Sequence, residues 1–295
     1  MSDPVIECRN LSHHYGERLI YENLSFEVPR GRVLGLLGKN GTGKTTTINI
    51  LGGYLEPSAG QCLIFGEEIR SMRPETRTRI ALLIEGHVQY AFMTIEEIER
   101  FYARFYPRWN RDAYYGLMEK LKVAPRQRIS RMSCGQRSQV ALGLILAQNA
   151  DLLVLDDFSM GLDPGYRRLF VEYLRDYARS EEKTIFLTSH IIQDMEKLVD
   201  DCIVMDYGRI LVQMPAGDLL GRFRRYELAI AEGAALPEAP EFHRPTAIGG
   251  RAEFYSFETE AEVAARLRQA GIACDTLRSE ALNLEDAFIG LTGKY

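Results

Sequence analysis

Eight consecutive residues, Gly38-Lys39-Asn40-Gly41-Thr42-Gly43-Lys44-Thr45, fit the pattern G-x-x-x-x-G-K-[ST] without a mismatch. Glycines let the backbone fold closely around an anion, so that several N–H groups and the N-terminus of a following helix point at one phosphate. In such a loop Gly38, Asn40, Gly41 and Gly43 shape the cradle and Lys44 reaches the outer phosphates. Thr45 offers its hydroxyl to Mg²⁺, and Thr46 adds a donor in the first helical turn. The elements that must position the loop are both present. The apolar run Val33-Leu34-Gly35-Leu36-Leu37 reads as a buried strand before it, and Thr46 to Leu51 reads as a helix after it. A chance glycine-rich turn would need neither. The chain is expected to bind a nucleoside triphosphate with Mg²⁺.

A second run, Leu152-Leu153-Val154-Leu155-Asp156-Asp157, has the character of a central parallel strand that delivers a carboxylate to the same site. Between the two runs stand Ser133-Cys134-Gly135-Gln136 and an apolar stretch from Val140 to Ala147. Downstream follow Gly161-Leu162-Asp163-Pro164 and Thr184-Ile185-Phe186-Leu187-Thr188-Ser189-His190. This order and spacing resembles the nucleotide-binding subunit of an ABC transporter over about residues 4 to 220. No one of these motifs would carry the resemblance alone; it rests on their order.

The resemblance implies roles for matching positions. Tyr15, in Leu11-Ser12-His13-His14-Tyr15-Gly16, corresponds to the aromatic that stacks on adenine, though a half-buried strand tyrosine would look the same. Gly38 to Thr46 is the Walker A loop, and Asp156 is the Walker B residue that holds magnesium. Ser133, Gly135 and Gln136 match the signature motif, which in the family closes over the γ-phosphate bound to a second subunit. A serine hydroxyl, a small residue and a helix N-terminus suit that task. Asp163 is the residue that communicates across the dimer; Asp at N-cap before Pro164 at N1 would also account for its identity. His190 resembles the switch histidine that contacts the γ-phosphate and the attacking water.

Three departures fall at the chemistry. Asp157 stands where the family usually has a glutamate general base, and Phe158 where it usually has proline. One methylene fewer withdraws the carboxylate, and a misplacement near 1 Å can cost about 10²-fold in rate, so either slow hydrolysis or a water-bridged contact is expected. Aligning Ile80 to Glu85 with the Q-loop puts Glu85 where glutamine is common, as catalytic and metal residue; Gln89 lies close enough to compete for the alignment. Cys134 replaces a signature glycine and adds a Cβ where the family prefers none.

Composition sets outer bounds. The chain has 295 residues and is 46% hydrophobic, enough for one large core and an appendage. No apolar run approaches the ~18 residues that span a bilayer, and the N-terminus lacks a signal-peptide pattern. A soluble, cytoplasmic chain is expected. The five cysteines, Cys8, Cys62, Cys134, Cys202 and Cys274, are dispersed without metal-ligand spacing, which suits a reducing compartment. A net charge of −5 without a basic stripe argues against a nucleic-acid partner.

The expected fold is α/β: a P-loop NTPase (RecA-like) core with an antiparallel β subdomain, a helical subdomain at about 94–147, and a small α+β C-terminal domain. The nucleotide-binding domain is read as 1–221 and the accessory domain as 222–295. Thr94-Ile95-Glu96-Glu97 is a capping box that opens a helix carrying Ile98, Phe101, Tyr102 and Phe105. Asp163 to Ser180 reads as an amphipathic helix with Tyr166, Phe170, Leu174 and Tyr177 on one face, and His190 as the start of another helix. After Gly221 the sequence predicts strands at Tyr226–Ala231, Ala252–Phe257 and Ile272–Leu277, a loop over Gly233–Arg251, and helices at Ala261–Ala270 and after Asn283. The last helix, Leu284-Glu285-Asp286-Ala287-Phe288, is similar to the Leu-Glu-Asp-x-Phe ending of drug- and antibiotic-export ABC subunits. The resemblance implies the ATP-hydrolysing subunit of an ABC exporter. It would dimerise around two Mg-ATP and sit on the inner face of the membrane through a separate transmembrane permease subunit. A soluble ABC ATPase outside transport, or a slow ATP-sensing module, are the alternatives.

Overall fold

The computed structural model describes residues 3–84, 90–120, 124, 126–159, 162–180 and 182–293. The chain divides into two units, residues 1–210 and 211–295. The first unit opens with a long antiparallel hairpin, β1 (Ile6–Tyr15) and β2 (Arg18–Val28), whose last register pair is Tyr15 with Arg18. Next come β3 (Val33–Gly38) and α1 (Lys44–Leu51). β4 (Ala59–Ile64) and β5 (Glu67–Glu68) complete an antiparallel sheet in the order β2–β1–β4–β5. The chain continues through α2 (Pro74–Arg77) and β6 (Ile80–Leu83) into a helical region of α3 (Ile95–Tyr102), α4 (Arg111–Lys120) and α5 (Cys134–Ala147). It returns as β7 (Leu152–Leu155), α6 (Pro164–Ser180), β8 (Thr184–Thr188), α7 (Ile192–Glu196) and β9 (Asp201–Asp206). In β10 (Arg209–Pro215), which follows, the first unit ends and the second begins.

Five strands, β9–β3–β8–β7–β6, run parallel. Every residue of β7 and β8 is buried, as is nearly all of β3. Strands covered on both faces have no polar side to show, which is why these runs read as continuous rather than alternating. β1 and β2 mix buried with exposed positions instead, alternating cleanly from Leu24 to Val28, and their inner side chains join Leu36, Val154 and Phe186 in one core; the Phe26 and Phe186 rings stack at 5.7 Å. In such parallel sheets the carboxyl ends of the strands, where the loops leave, are where ligands bind.

One glycine is essential to the join of β1 and β4. Gly60 has φ +82, and a Cβ there would lie 2.3 Å from the Asn10 carbonyl oxygen. The nearest atoms, the Asn10 and Arg9 carbonyls where β1 bulges between Arg9 and Ser12, are all backbone, so no flexible side chain can give way. Left-handed strain and overpacking together should make Gly60→Ala cost about 2–4 kcal/mol, read as a lower urea midpoint at unchanged slope. A midpoint within error of the parent would refute that.

α3 begins as its capping box predicts: Glu97 N–H donates to Thr94 Oγ1 at 3.3 Å and Thr94 N–H to Glu97 Oε2 at 2.8 Å. The helix stops at Tyr102, so Phe105 lies beyond it and is exposed. In α6 the buried stripe is Phe170, Val171, Leu174 and Ala178, not the expected Tyr166, Phe170, Leu174 and Tyr177. Val171 and Ala178 take the inner positions, and Tyr166 and Tyr177 are only partly buried beside them. α7 begins at Ile192, two residues after His190, which stays in the connecting loop.

The second unit contains α8 (Ala216–Arg222), β11 (Arg224–Ala229), β12 (His243–Ile248), β13 (Arg251–Ser256), α9 (Glu260–Gln269), β14 (Arg278–Ala281) and α10 (Leu284–Thr292). Its antiparallel sheet runs β12–β13–β11–β14. Tyr226, Leu228, Phe254, Val263 and Leu267 form its core, with Phe242 stacked on Phe254 at 4.1 Å. The change of pattern read at Gly221 lies at the end of α8, while the division into units falls earlier, after Ile210. Two sequence expectations fail in this unit. The stretch read as a loop, Gly233–Arg251, holds the edge strand β12, where Pro245 is tolerated because an edge leaves one ladder side unpaired. Ile272–Leu277 is not a strand: Ile272, Cys274 and Leu277 pack on the core from a loop, and the polar edge strand β14 follows. As expected, Asn283 caps α10, accepting from Asp286 N–H at 2.8 Å.

Among the described residues no helix is long and apolar enough to cross a membrane. The cysteines are less dispersed in space than in sequence. Cys8 and Cys62 are register partners on β1 and β4, with Sγ atoms 2.9 Å apart. Burial, the contact between them and Glu7 together raise the Cys8 thiol well above its ordinary range, so it stays protonated.

Candidate functional site

Three loops leave the carboxyl ends of β3, β7 and β8 and meet in one cavity of about 390 Å³. From the first come Asn40, Gly41, Gly43, Lys44, Thr45 and Thr46; from the second Asp156 and Asp157; from the third Thr188, Ser189 and His190. The tip of the β1–β2 hairpin adds Tyr15, Arg18 and Ile20. Gly43 ends the loop at φ +102, with Tyr21 ring carbon Cδ1 only 2.7 Å from where a Cβ would stand. As N-cap of α1 it offers no side-chain oxygen, so the first-turn N–H groups keep no side-chain acceptor. An uncapped helix start facing a cavity is suited to an anion.

Lys44 is buried, and its Nζ donates to the Gly38 and Lys39 carbonyls at 2.7 and 3.0 Å. Burial lowers its pKa; Asp156 and Asp157 act in the opposite sense and hold the proton on. Thr42 Oγ1 donates to the Lys39 carbonyl at 2.8 Å, pinning the loop from inside. Gly38 ends β3 and does not line the cavity.

The acidic pair is set by parallel register. Leu155 pairs with Leu187, so the next residues, Asp156 and Thr188, emerge side by side. Thr188 Oγ1 donates to Asp156 Oδ1 at 2.7 Å and accepts from Asp157 N–H at 2.9 Å. One threonine thus fixes both acids, a role the sequence reading gave it no credit for. Asp157 sits at φ +43, a left-handed conformation that Asp and Asn tolerate better than other side chains. Its Oδ1 accepts from His190 N–H at 3.1 Å, and its Oδ2 lies 3.3 Å from His190 Nε2. Half of the imidazole is open to solvent, whereas the Asp157 carboxylate is nearly enclosed. Such a pair, at the mouth of a phosphate-sized cavity, can hold and accept a proton. Thr45 and Asp156 are the hard-oxygen donors that could hold a divalent cation, a donor set that suits Mg²⁺ completed by water and phosphate. Phe158, in place of proline, is buried against Phe170 with ring centroids 5.5 Å apart, and Ser159 Oγ contacts Ser189 Oγ at 3.0 Å. Both contacts stiffen the turn that carries Asp157.

The remaining expected residues lie elsewhere. Ser133 caps α5 in a reciprocal box: Gln136 N–H donates to Ser133 Oγ at 3.2 Å, and Ser133 N–H to Gln136 Oε1 at 3.0 Å. Gly135 presses on Tyr166, whose Cδ2 is 2.9 Å from a would-be Cβ, while Cys134 is exposed and needs no such room. Ser133, Gly135 and Gln136 do not line the cavity of their own chain, nor does exposed Asp163, which precedes α6. Glu85 and Gln89 lie outside the described residues. Arg18 and Ile20 were missed. Their signal was the short turn after Tyr15, which folds β2 back beside it.

Comparison with known proteins agrees with this geometry. A model of the ABC transporter family matches residues 21–159. The Nod factor export ATP-binding protein I of Ralstonia nicotianae is 32% identical, over 99% of this chain and 95% of that protein. The bacitracin transport ATP-binding protein BcrA of Bacillus licheniformis is 30% identical, over 75% of this chain and 73% of its own. Among solved structures, one described as the ATP-binding subunit of an ABC transporter superposes with a TM-score of 0.66 at 26% identity, covering 73% of this chain and 91% of that one.

Proposed function

The chain belongs to the ABC transporter family, and from that membership and the site we propose that it is the ATP-binding and ATP-hydrolysing subunit of an exporter, driving a separate membrane subunit. The observation that carries this is the convergence of Lys44, Thr45, Asp156, Asp157 and His190 on one cavity from three strand ends. Adenine stacks on Tyr15, whose ring is 49% exposed and so has a face to offer. The triphosphate lies along the Walker A backbone with Lys44 at its outer end. Thr45 and Asp156 would hold Mg²⁺, with Glu85 a third candidate ligand. When bound, Mg²⁺ neutralises charge on the β/γ-phosphate oxygens. Asp157 accepts the proton of the attacking water, and His190, tied to it by the 3.1 and 3.3 Å contacts, orients the pair. This is catalysis by positioning and charge, without a covalent intermediate.

Ser133, Gly135 and Gln136 have no phosphate partner in their own chain, and Ser133 Oγ, though it accepts from Gln136, still has a proton to donate. We place them over the γ-phosphate held by a second copy, with Asp163 at the shared boundary. Light scattering on His190→Ala, chosen to block turnover, should show a dimer with Mg-ATP and a monomer without. A chain that binds ATP by calorimetry yet stays monomeric, alone and in the purified membrane complex, would overturn this.

We place the membrane subunit near residues 85–93, of which 85–89 lie outside the described residues, and the helical region, where Tyr90, Phe92 and Phe105 expose large aromatic surface. That contact puts the chain on the inner face of the membrane. The relatives' names carry two different compounds, one with export and one with transport, which suits a shared motor with cargo chosen elsewhere. A second reading, a slow ATP-sensing module, is favoured by Asp157 in place of the longer acid.

A further inference from the structure

The cavity is also lined by a cation, Arg18, that belongs to none of the phosphate-binding, magnesium or switch motifs. Arg18 is the first residue of β2, and its register partner, the last pair of the hairpin, is Tyr15. Both side chains line the same cavity. The Arg18 guanidinium reaches over the Walker A loop: its Nη2 lies 3.3 Å from where a Cβ on Gly41 would stand. An arginine at the surface ordinarily finds a carboxylate or a carbonyl, and this one has no hydrogen bond or ion pair among the described residues. A guanidinium over a loop of backbone N–H groups adds positive charge where the loop already gathers it. That arrangement gains only when an anion arrives.

We propose that Arg18 is a nucleotide-binding residue whose guanidinium engages the phosphate chain while Tyr15 beside it takes the base. The proposal rests on the reading of this cavity as the ATP site and adds to it a contact from outside the motifs. A planar fork of donors suits phosphate oxygens in a way that a solvated surface charge does not require. Tyr15 and Arg18 close a rigid hairpin, so base and phosphates are measured against each other by one structural unit. The consequence is selectivity by phosphate number rather than a uniform gain in affinity.

Titration calorimetry of the full chain with ATP, ADP and AMP, each with Mg²⁺, tests this on the parent, Arg18→Gln, Arg18→Lys and Lys44→Ala. Arg18→Gln keeps much of the length and polarity and removes the charge. It should weaken ATP about tenfold or more, as for a lost hydrogen bond to a charged group, ADP less, and AMP not at all. Arg18→Lys should recover part of the loss, and the gap between parent and Arg18→Gln should narrow as salt is raised. Equal affinity for ATP in parent and Arg18→Gln, with Lys44→Ala still defective, overturns the proposal and leaves the ATP site standing. Equal losses for ATP and AMP would place Arg18 on the α-phosphate or the nucleoside that both share, remove the selectivity by phosphate number, and overturn it as well. A parent chain that binds none of the three would overturn the ATP-site reading itself, and this proposal with it.

Discussion

Lys44→Ala is expected to reduce ATP binding below detection by titration calorimetry at millimolar nucleotide, with the far-ultraviolet circular dichroism unchanged. The side chain has two roles that the substitution separates. Without nucleotide its ammonium satisfies the Gly38 and Lys39 carbonyls; with nucleotide it turns to the outer phosphates. Thr42 Oγ1 still donates to the Lys39 carbonyl in the variant, so the loop keeps an internal pin. What disappears is charge at the phosphate tail. Two charge-assisted hydrogen bonds are together worth about 3–6 kcal/mol, or about 10² to 10⁴ in affinity. The direction of its pKa shift adds a pH signature. Burial lowers the pKa, and only the ammonium attracts phosphate, so ATP affinity should fall as the pH rises toward that lowered value. The alkaline loss should be absent from whatever binding the alanine variant retains. Undiminished ATP binding in Lys44→Ala would refute the Walker A assignment.

The parts of this site visible in sequence are those fixed by local backbone demands. A glycine-rich loop between a buried strand and a helix can be read in one pass, because strand, turn and helix each leave a pattern of apolar and small residues. The capping box at Thr94 and the Asn283 cap could be read for the same reason: donor and acceptor are three residues apart. What the sequence hid depends on register. That Thr188 would bond both Asp156 and Asp157 follows from β7 lying beside β8, which no short window contains. Arg18 enters the cavity because β2 folds back beside Tyr15, and Cys8 meets Cys62 only through the pairing of β1 with β4. In the C-terminal unit packing overrules pattern: Ile272 and Leu277 have strand-like spacing yet serve as loop anchors, while β14 is polar because it is an edge. Phe158, where the family usually has proline, is a core residue, its ring tilted against that of Phe170.

The acid at position 157 is where sequence departure and geometry meet, and its variants should give the largest change in turnover. Asp157→Asn is the decisive substitution. Asparagine accepts the left-handed backbone found there as readily as aspartate does. Its amide oxygen can still take the His190 N–H, so fold and ATP binding should persist. The lost proton acceptor should lower phosphate release by about 10² to 10⁴, the usual contribution of a general base. Asp157→Glu should act in the other direction. The added methylene carries the carboxylate further into the cavity, and turnover should rise about tenfold, at most about 10² on the cost of a 1 Å misplacement. That gain has a structural cost, because glutamate is less suited to positive φ and its carboxylate must leave the His190 N–H. A melting midpoint a few degrees lower should therefore accompany the faster rate. The two readings of this protein part at these measurements. A working exporter motor slows sharply with asparagine and quickens with glutamate. An ATP-sensing module stays near its low rate in both, since Asp157 would then serve to hold His190 rather than to take a proton. Equal rates for the parent and Asp157→Asn would remove this side chain from proton transfer, leaving His190 and Glu85 as the remaining candidate bases.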